Sequence, residues 1–98
     1  YEMKNLVEIF LRENYLDAEL LNLKNVKDLC LITCRVDTNI LKNMDCFTNL
    51  TKLCLMNVNL KSIPKTIYNL TKLTELNLND NNIKKVSSKI KNLIKKLK

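Results

Sequence analysis

The chain has 98 residues, enough for one small domain, and it contains no histidine and no glycine. Without histidine no Ser-His-Asp triad or Cys-His pair can form within it, and without glycine no glycine-rich phosphate loop, so we expect a protein that is not an enzyme. The net charge of +7 lies at one end: residues 1–83 carry ten basic and ten acidic side chains, and residues 84–98 carry seven lysines and no acid.

The first 25 residues allow two interpretations. One set of residues has a spacing that recurs further along the chain and predicts a first repeat over about residues 6–25: Leu6, Ile9, Leu11, Asn14 and Leu16. A second set follows the i, i+3, i+4, i+7 spacing of an amphipathic cap helix: Met3, Leu6, Val7 and Phe10. We favour the repeat because an asparagine stands where the later pattern has one. A hybrid of the two is open, since terminal repeats are often atypical.

A second unit covers residues 26–49. Its first half has the same spacing: Val26, Leu29, Leu31, Cys34 and Val36. This unit is about one residue longer than those that follow, and the extra residue lies near residues 37–40. We expect three further apolar side chains to fill its back: Ile40, Met44 and Phe47.

The clearest pattern is the return of residues 50–72 as residues 73–95, at a period of about 23 residues, which is typical of solenoid repeats. The apolar residues of the first copy are Leu50, Leu53, Leu55, Leu60, Ile63, Ile67 and Leu70. Those of the second copy are Leu73, Leu76, Leu78, Ile83, Val86, Ile90 and Leu93.

The spacing L-x-x-L-x-L-x-x-N-x-L resembles the leucine-rich repeat, and it is carried by Leu73, Leu76, Leu78, Asn81 and Ile83. The segment from Ile63 and Pro64 to Leu70 is similar to the intracellular repeats of that family's Ras-signalling group. The resemblance implies an α/β fold over a single domain, residues 1–98. This fold is a short solenoid with a curved parallel β-sheet of three or four strands and helical or irregular convex returns.

Two positions depart from the family pattern. The asparagine of the repeat bonds the backbone of its turn, and here only Asn14 and Asn81 supply the amide, whereas Cys34 and Val58 cannot. We therefore expect the turns of the second and third units to be less firmly held. Because the chain lacks glycine, turns with positive φ are expected to use asparagine, and three asparagines surround one such turn: Asn79, Asn81 and Asn82.

Alternation along each strand predicts which side chains are buried. We expect Leu53 and Leu76 in the core and Lys52 and Glu75 outside it. The outward side chains would form the concave face, on which members of the family usually bind partners. The resemblance and the alternation together predict a protein-binding site on this face: Phe10, Cys30, Ile32, Lys52, Cys54, Met56, Glu75, Asn77 and Asn79.

The four cysteines do not converge in this register. Cys30 and Cys54 would point outward from neighbouring strands, Cys34 inward, and Cys46 would lie on the back. We expect free thiols, although Cys30 and Cys54 are close enough for a strained disulfide under oxidation. We expect no metal site and no cofactor. Free thiols favour a cytoplasmic protein, with the nucleus left open.

The segment from Lys84 to Lys98 is basic and amphipathic. An apolar stripe has helical spacing along it: Ile90, Leu93, Ile94 and Leu97. Ser87 or Ser88 could cap the start of such a helix. We favour a cap over the last repeat, and the alternative is a helix that binds a membrane surface.

The resemblance implies a non-catalytic protein–protein interaction module, with a protein partner or a second copy of the chain on the concave face. Two alternatives remain. One is a membrane-peripheral protein that uses residues 84–98, and the other is the substrate-recognition fragment of a larger ligase. We do not expect a nucleic-acid partner, because no aromatic side chain stands beside the C-terminal lysines to stack on bases.

Overall fold

A computed structural model of the chain describes residues 8–83. Six strands occur in this part of the chain: β1 (Glu8–Arg12), β2 (Tyr15–Leu16), β3 (Asp28–Ile32), β4 (Arg35–Val36), β5 (Lys52–Met56) and β6 (Glu75–Asn77). Four of them form an open parallel sheet in the order β1-β3-β5-β6, and β2 and β4 form a second, two-stranded parallel sheet. The predicted α/β class and the parallel sheet of three or four strands are therefore confirmed.

The strands of the main sheet pair in a single register. Cys30 pairs with Phe10 on one side and with Cys54 on the other, and Ile32 pairs with Arg12 and Met56. Residues that are equivalent in the sequence pattern therefore lie side by side. The outward positions form three rows: Glu8, Asp28, Lys52, Glu75; then Phe10, Cys30, Cys54, Asn77; then Arg12, Ile32, Met56.

The core lies on one side of this sheet. The inward leucines of the central strands are at most 2% exposed: Leu29, Leu31, Leu53 and Leu55. The three residues expected at the back of the second unit are fully buried, so that prediction is confirmed: Ile40, Met44 and Phe47. Leu76 was expected in the core but is only half-buried, because it lies in β6, beyond which the structure describes no further strand.

The returns between strands are short helical turns that pack over the core. Three are 3₁₀ segments, Ala18–Asn22, Met44–Cys46 and Lys65–Asn69, and one is a short α-helix, α1 (Thr38–Lys42), where the longer unit has its extra residue. Asp17 and Asp37 accept hydrogen bonds from the backbone N–H groups of the first turns. Pro64 precedes the last of these segments and lies outside the sheet, as predicted.

Some predictions fall on residues that the structure does not describe. Because residues 8–12 form a strand, the cap-helix interpretation is wrong for residues 8–10. The rest of that helix lies outside the described residues, as does every prediction for the C-terminal segment. The residues concerned are Met3, Leu6, Val7, Val86, Ile90, Leu93, Ile94 and Leu97, with Ser87 and Ser88.

The turns that follow the strands use asparagine only in part: Asn57 and Asn59 (60°) have a positive φ, whereas Asn79, Asn81 and Asn82 do not. The first residue beyond each long strand has a positive φ, namely Glu13 (57°), Thr33 (55°) and Asn57 (53°), and Asp80 (62°) occupies the equivalent position after β6. Thr33 is a β-branched residue for which this conformation is costly. The compensation is a hydrogen bond, since the Thr33 N–H donates to the carbonyl of Met56 at 3.0 Å.

Asn81 connects two successive units. Its Nδ2 donates to the carbonyls of Leu55 and Leu78, and its Oδ1 accepts from the N–H groups of Val58 (3.0 Å) and Leu60 (3.1 Å). The turn of the third unit is therefore held by the asparagine of the next unit, and the expectation that it is loosely held was wrong.

Cys34 performs only the donor half of this role. Its thiol donates to the carbonyls of Leu11 and Ile32, each at 3.4 Å. These positions are equivalent to Leu55 and Asn79, whose carbonyls both accept from the Asn81 amide. A thiol is a weaker donor than an amide and offers no oxygen to accept from the backbone. The cysteine therefore replaces the asparagine in part.

Replacement of Leu53 by alanine should lower the free energy of unfolding by about 2–5 kcal/mol, because it removes a fully buried side chain. The matched change at its neighbour, Lys52→Ala, should alter it by less than about 0.5 kcal/mol, because Lys52 is exposed. Urea denaturation measures both values. Equal losses in the two variants would contradict the register.

Replacement of Asn81 by alanine should lower the free energy of unfolding by about 2–3 kcal/mol, because it leaves the N–H groups of Val58 and Leu60 without their partner. Asn82→Ala is the control, since this neighbour is exposed and bonds through its backbone N–H, and it should cost less than about 0.5 kcal/mol. Thermal and urea unfolding both report the difference. Similar values for the two variants would show that the Asn81 bridge contributes nothing.

Candidate functional site

The side of the main sheet that faces away from the core is the candidate site. We call it the open face, and it consists of the three outward rows of β1, β3, β5 and β6. The inward leucines of these strands share one cluster with Ile40, Met44 and Phe47 of the returns, so the returns pack against the opposite side. The outward side chains of the open face therefore do not form part of the core.

The centre of the open face is apolar. Phe10 is 65% exposed, and four neighbouring side chains are half-buried: Cys30, Ile32, Cys54 and Met56. The register brings them together, since Phe10, Cys30 and Cys54 are consecutive in one row and Ile32 pairs with Met56 in the next. Contiguous exposed apolar surface usually marks an interaction site.

The remaining predicted residues border this centre. Lys52 and Glu75 are exposed at the amino ends of their strands. Asn77 follows Cys54 in the middle row, and its Oδ1 accepts from the N–H of Asn79 at 3.0 Å, beyond the end of β6. The structure thus places all nine residues on the open face or at its border. The face is polar near β6, where Asn77 and Asn79 lie.

Charged side chains lie at both edges of the open face. Glu8 and Asp28 join Lys52 and Glu75 at the amino edge, and Arg12 is in the row nearest the carboxyl edge. Glu13 and Asp80 belong to the turns at that edge, where the side chains of Asn57 and Thr33 bond to each other. Within residues 8–83 none of these charged groups forms an ion pair.

The cysteines occupy the positions expected from the register. Cys30 and Cys54 are direct neighbours on the open face, Cys34 is buried, and the Cys46 thiol donates to the carbonyl of Leu21 behind the sheet. All four are free thiols. Among residues 8–83 no group of three or more metal-binding side chains converges. Burial, and then the adjacent Cys30 side chain, raise the pKa of the Cys54 thiol to about 12.

A groove on another surface was not predicted from the sequence. It lies between α1 and residues 59–66 and has a volume of about 560 Å³. Lys42, Lys61 and Lys65 line it together with Leu41 and Leu60, and none of its lining residues within the described range 8–83 is acidic. Because these residues come from two different units, no periodic pattern connects them. The groove is therefore opposite in charge to the edges of the open face.

Comparisons of this chain with protein-family models, curated proteins and solved structures found no match. Within residues 8–83 no helix has the length and apolar character needed to cross a membrane.

The Cys54 thiol should react slowly, because its raised pKa keeps it protonated at pH values where an ordinary cysteine is already ionised. At pH 9, alkylation of Cys54 by iodoacetamide should be at least about tenfold slower in the native chain than in urea, since each pKa unit changes the thiolate fraction about tenfold. Mass spectrometry of the tryptic peptide 53–61, in which Cys54 is the only cysteine, follows this residue alone. Equal rates in the two conditions would contradict the burial of the thiol.

Proposed function

We propose that this chain is a non-catalytic protein-binding module of the leucine-rich repeat type, and that a protein partner binds its open face. The observation that carries the proposal is the contiguous apolar centre around Phe10, Ile32 and Met56. These side chains point away from the core, so burial within residues 8–83 does not explain their apolar character. Phenylalanine and methionine are enriched in the cores of protein interfaces.

The repeat type is supported by the way the units follow one another. Four parallel strands pair in chain order with equivalent residues aligned, as stacked repeats require. The bridge from Asn81 to the preceding unit is a contact that only a neighbouring unit can make. The pattern asparagine of the last unit therefore has a structural role consistent with the resemblance.

A second copy of the chain is the other occupant that the open face allows. In a two-fold dimer the same patch would meet itself, which suits an apolar centre better than its charged edges. The two outcomes differ in oligomeric state, so sedimentation velocity at micromolar concentration separates a self-associating chain from a monomer that binds another protein.

The proposal is tested by the double variant Ile32→Asp/Met56→Asp. Two carboxylates in the apolar centre should weaken partner binding at least about tenfold, as loss of a hot spot does. Immobilised wild type and variant are compared for the proteins that each retains from a lysate of the source cells. Tyr15→Asp is the matched control, because Tyr15 is 67% exposed and lies on β2, outside the open face. Tyr15→Asp should retain the same lysate proteins as the wild type.

The same variant must stay folded for this result to count. Circular dichroism and the melting temperature of Ile32→Asp/Met56→Asp should be nearly those of the wild type, because both side chains are on the open face. An unfolded variant would show that these residues belong to the core, and the site assignment would then be wrong. A folded variant that retains the wild-type set of proteins would contradict the proposed binding face.

A further inference from the structure

We infer that the partner of the open face is a cationic polypeptide segment, one with apolar side chains in its middle and lysine or arginine at its ends. This inference rests on the proposed function, because it specifies the chemistry of the partner for the same face. It comes from the distribution of charge around the apolar centre.

The described part of the chain is neutral overall but its charge is divided between two surfaces. The open face and the turns at its carboxyl edge carry five carboxylates and two cations, a net charge of −3: Glu8, Glu13, Asp28, Glu75 and Asp80, with Arg12 and Lys52. The other residues within 8–83 carry four carboxylates and seven cations, a net charge of +3. The protein therefore presents an acidic border around the apolar centre and a basic surface elsewhere.

Four of the five carboxylates are exposed, whereas Asp28 is half-buried and accepts a hydrogen bond from the Thr51 hydroxyl at 3.4 Å. Glu8, Glu13, Glu75 and Asp80 are exposed, and none of them forms an ion pair within residues 8–83. They stand at opposite ends of the strands, and a five-residue strand is roughly 17 Å long. A segment that lies along the strands would thus have carboxylates near both of its ends and apolar side chains beneath its middle.

Phe10 adds a second feature that favours a cation. It is the most exposed side chain of the apolar centre, and it lies in β1 between Glu8 and the turn residue Glu13. A lysine or arginine at this corner can contact the aromatic ring while it approaches a carboxylate. Arg12 is the one cation of β1, so Phe10 has two carboxylates, those of Glu8 and Glu13, and one cation near it along the chain.

The same charges argue against polyanionic partners at this face. A nucleic acid or an anionic membrane would bring phosphates toward five carboxylates, which repel them. The groove that Lys42, Lys61 and Lys65 line is the surface where such a ligand would go. A polyanionic ligand is therefore not expected on the open face.

The test uses a fluorescein-labelled peptide of twelve alternating lysine and leucine residues and the full chain. Fluorescence anisotropy at about 0.1 M ionic strength should show saturable binding, and Ile32→Ser/Met56→Ser, which removes the apolar centre without adding charge, should weaken it. The double charge reversal Glu8→Lys/Glu75→Lys should reduce the affinity at least about tenfold. Both residues are exposed and form no side-chain hydrogen bond within residues 8–83, so the variant should fold.

The control is Glu19→Lys/Asp45→Lys, which changes the net charge equally at exposed residues of the returns. It should alter the affinity less than about twofold, because the effect depends on position and is screened over about 10 Å. A glutamate–leucine peptide should not bind. Equal losses in the two charge-reversal variants, or no binding of the lysine–leucine peptide, would overturn the inference.

Two further results distinguish this inference from the proposed function. If Glu8→Lys/Glu75→Lys still retains the proteins that Ile32→Asp/Met56→Asp loses from a lysate, the partner is not cationic and the inference fails, while the binding face stands. If the chain binds anionic vesicles or a single-stranded oligonucleotide in the absence of the peptide, and Ile32→Asp/Met56→Asp abolishes that binding, the inference also fails. If Ile32→Asp/Met56→Asp retains all the lysate proteins and Ile32→Ser/Met56→Ser leaves the peptide affinity unchanged, the proposed function fails as well.

Discussion

The single register of the backbone hydrogen bonds between neighbouring strands is the constraint on which the rest of the structure depends. Side chains alternate along a strand, so a slip of one residue would exchange the two faces of the sheet. In the observed pairing Leu31 lies beside Leu55 in the core, while Ile32 lies beside Met56 on the open face. The separation of core from binding surface follows from this pairing.

The turns show how firmly the register is held. The N–H groups of Glu13, Thr33 and Asn57 donate to carbonyls of the next unit, those of Ile32, Met56 and Asn79, and each donor residue has a positive φ. At Thr33 the chain tolerates a conformation that a β-branched residue disfavours. At these positions the backbone hydrogen bond to the next unit outweighs the conformational cost of a positive φ, and the chain has no glycine that could adopt this φ without that cost. The Asn81 amide then fixes the third unit to the fourth.

Much of this arrangement could be predicted from the period of the apolar residues. The spacing of Leu53 and Leu55 and of Leu76 and Leu78 predicts the strands, the pairing and the outward rows, because these depend on local alternation and on the length of a repeat. The burial of Phe47 and Ile40 follows from the same pattern. The apolar centre of the open face could be predicted too, since it needs only the register.

Features that depend on a neighbouring unit could not be predicted in the same way. Asn81 supports the turn around Val58: the 23-residue period aligns the two residues, but it does not show that the side chain of one bonds the backbone of the other. Leu76 has the sequence context of a core residue, yet its burial depends on what stands beside β6. The positive φ of Thr33 contradicts residue preference, because a hydrogen bond to another strand decides it. The lysine-lined groove combines side chains from two units for a similar reason.

The measurement that tests the central claim most directly is a map of short contacts between backbone protons of neighbouring strands, obtained by NMR of the isotope-labelled chain. The observed register predicts contacts that place Phe10 beside Cys30, Cys30 beside Cys54, and Ile32 beside Met56. A pairing shifted by one residue, with Leu29 or Leu31 beside Cys54, would contradict it. The apolar centre of the open face would then not exist as described.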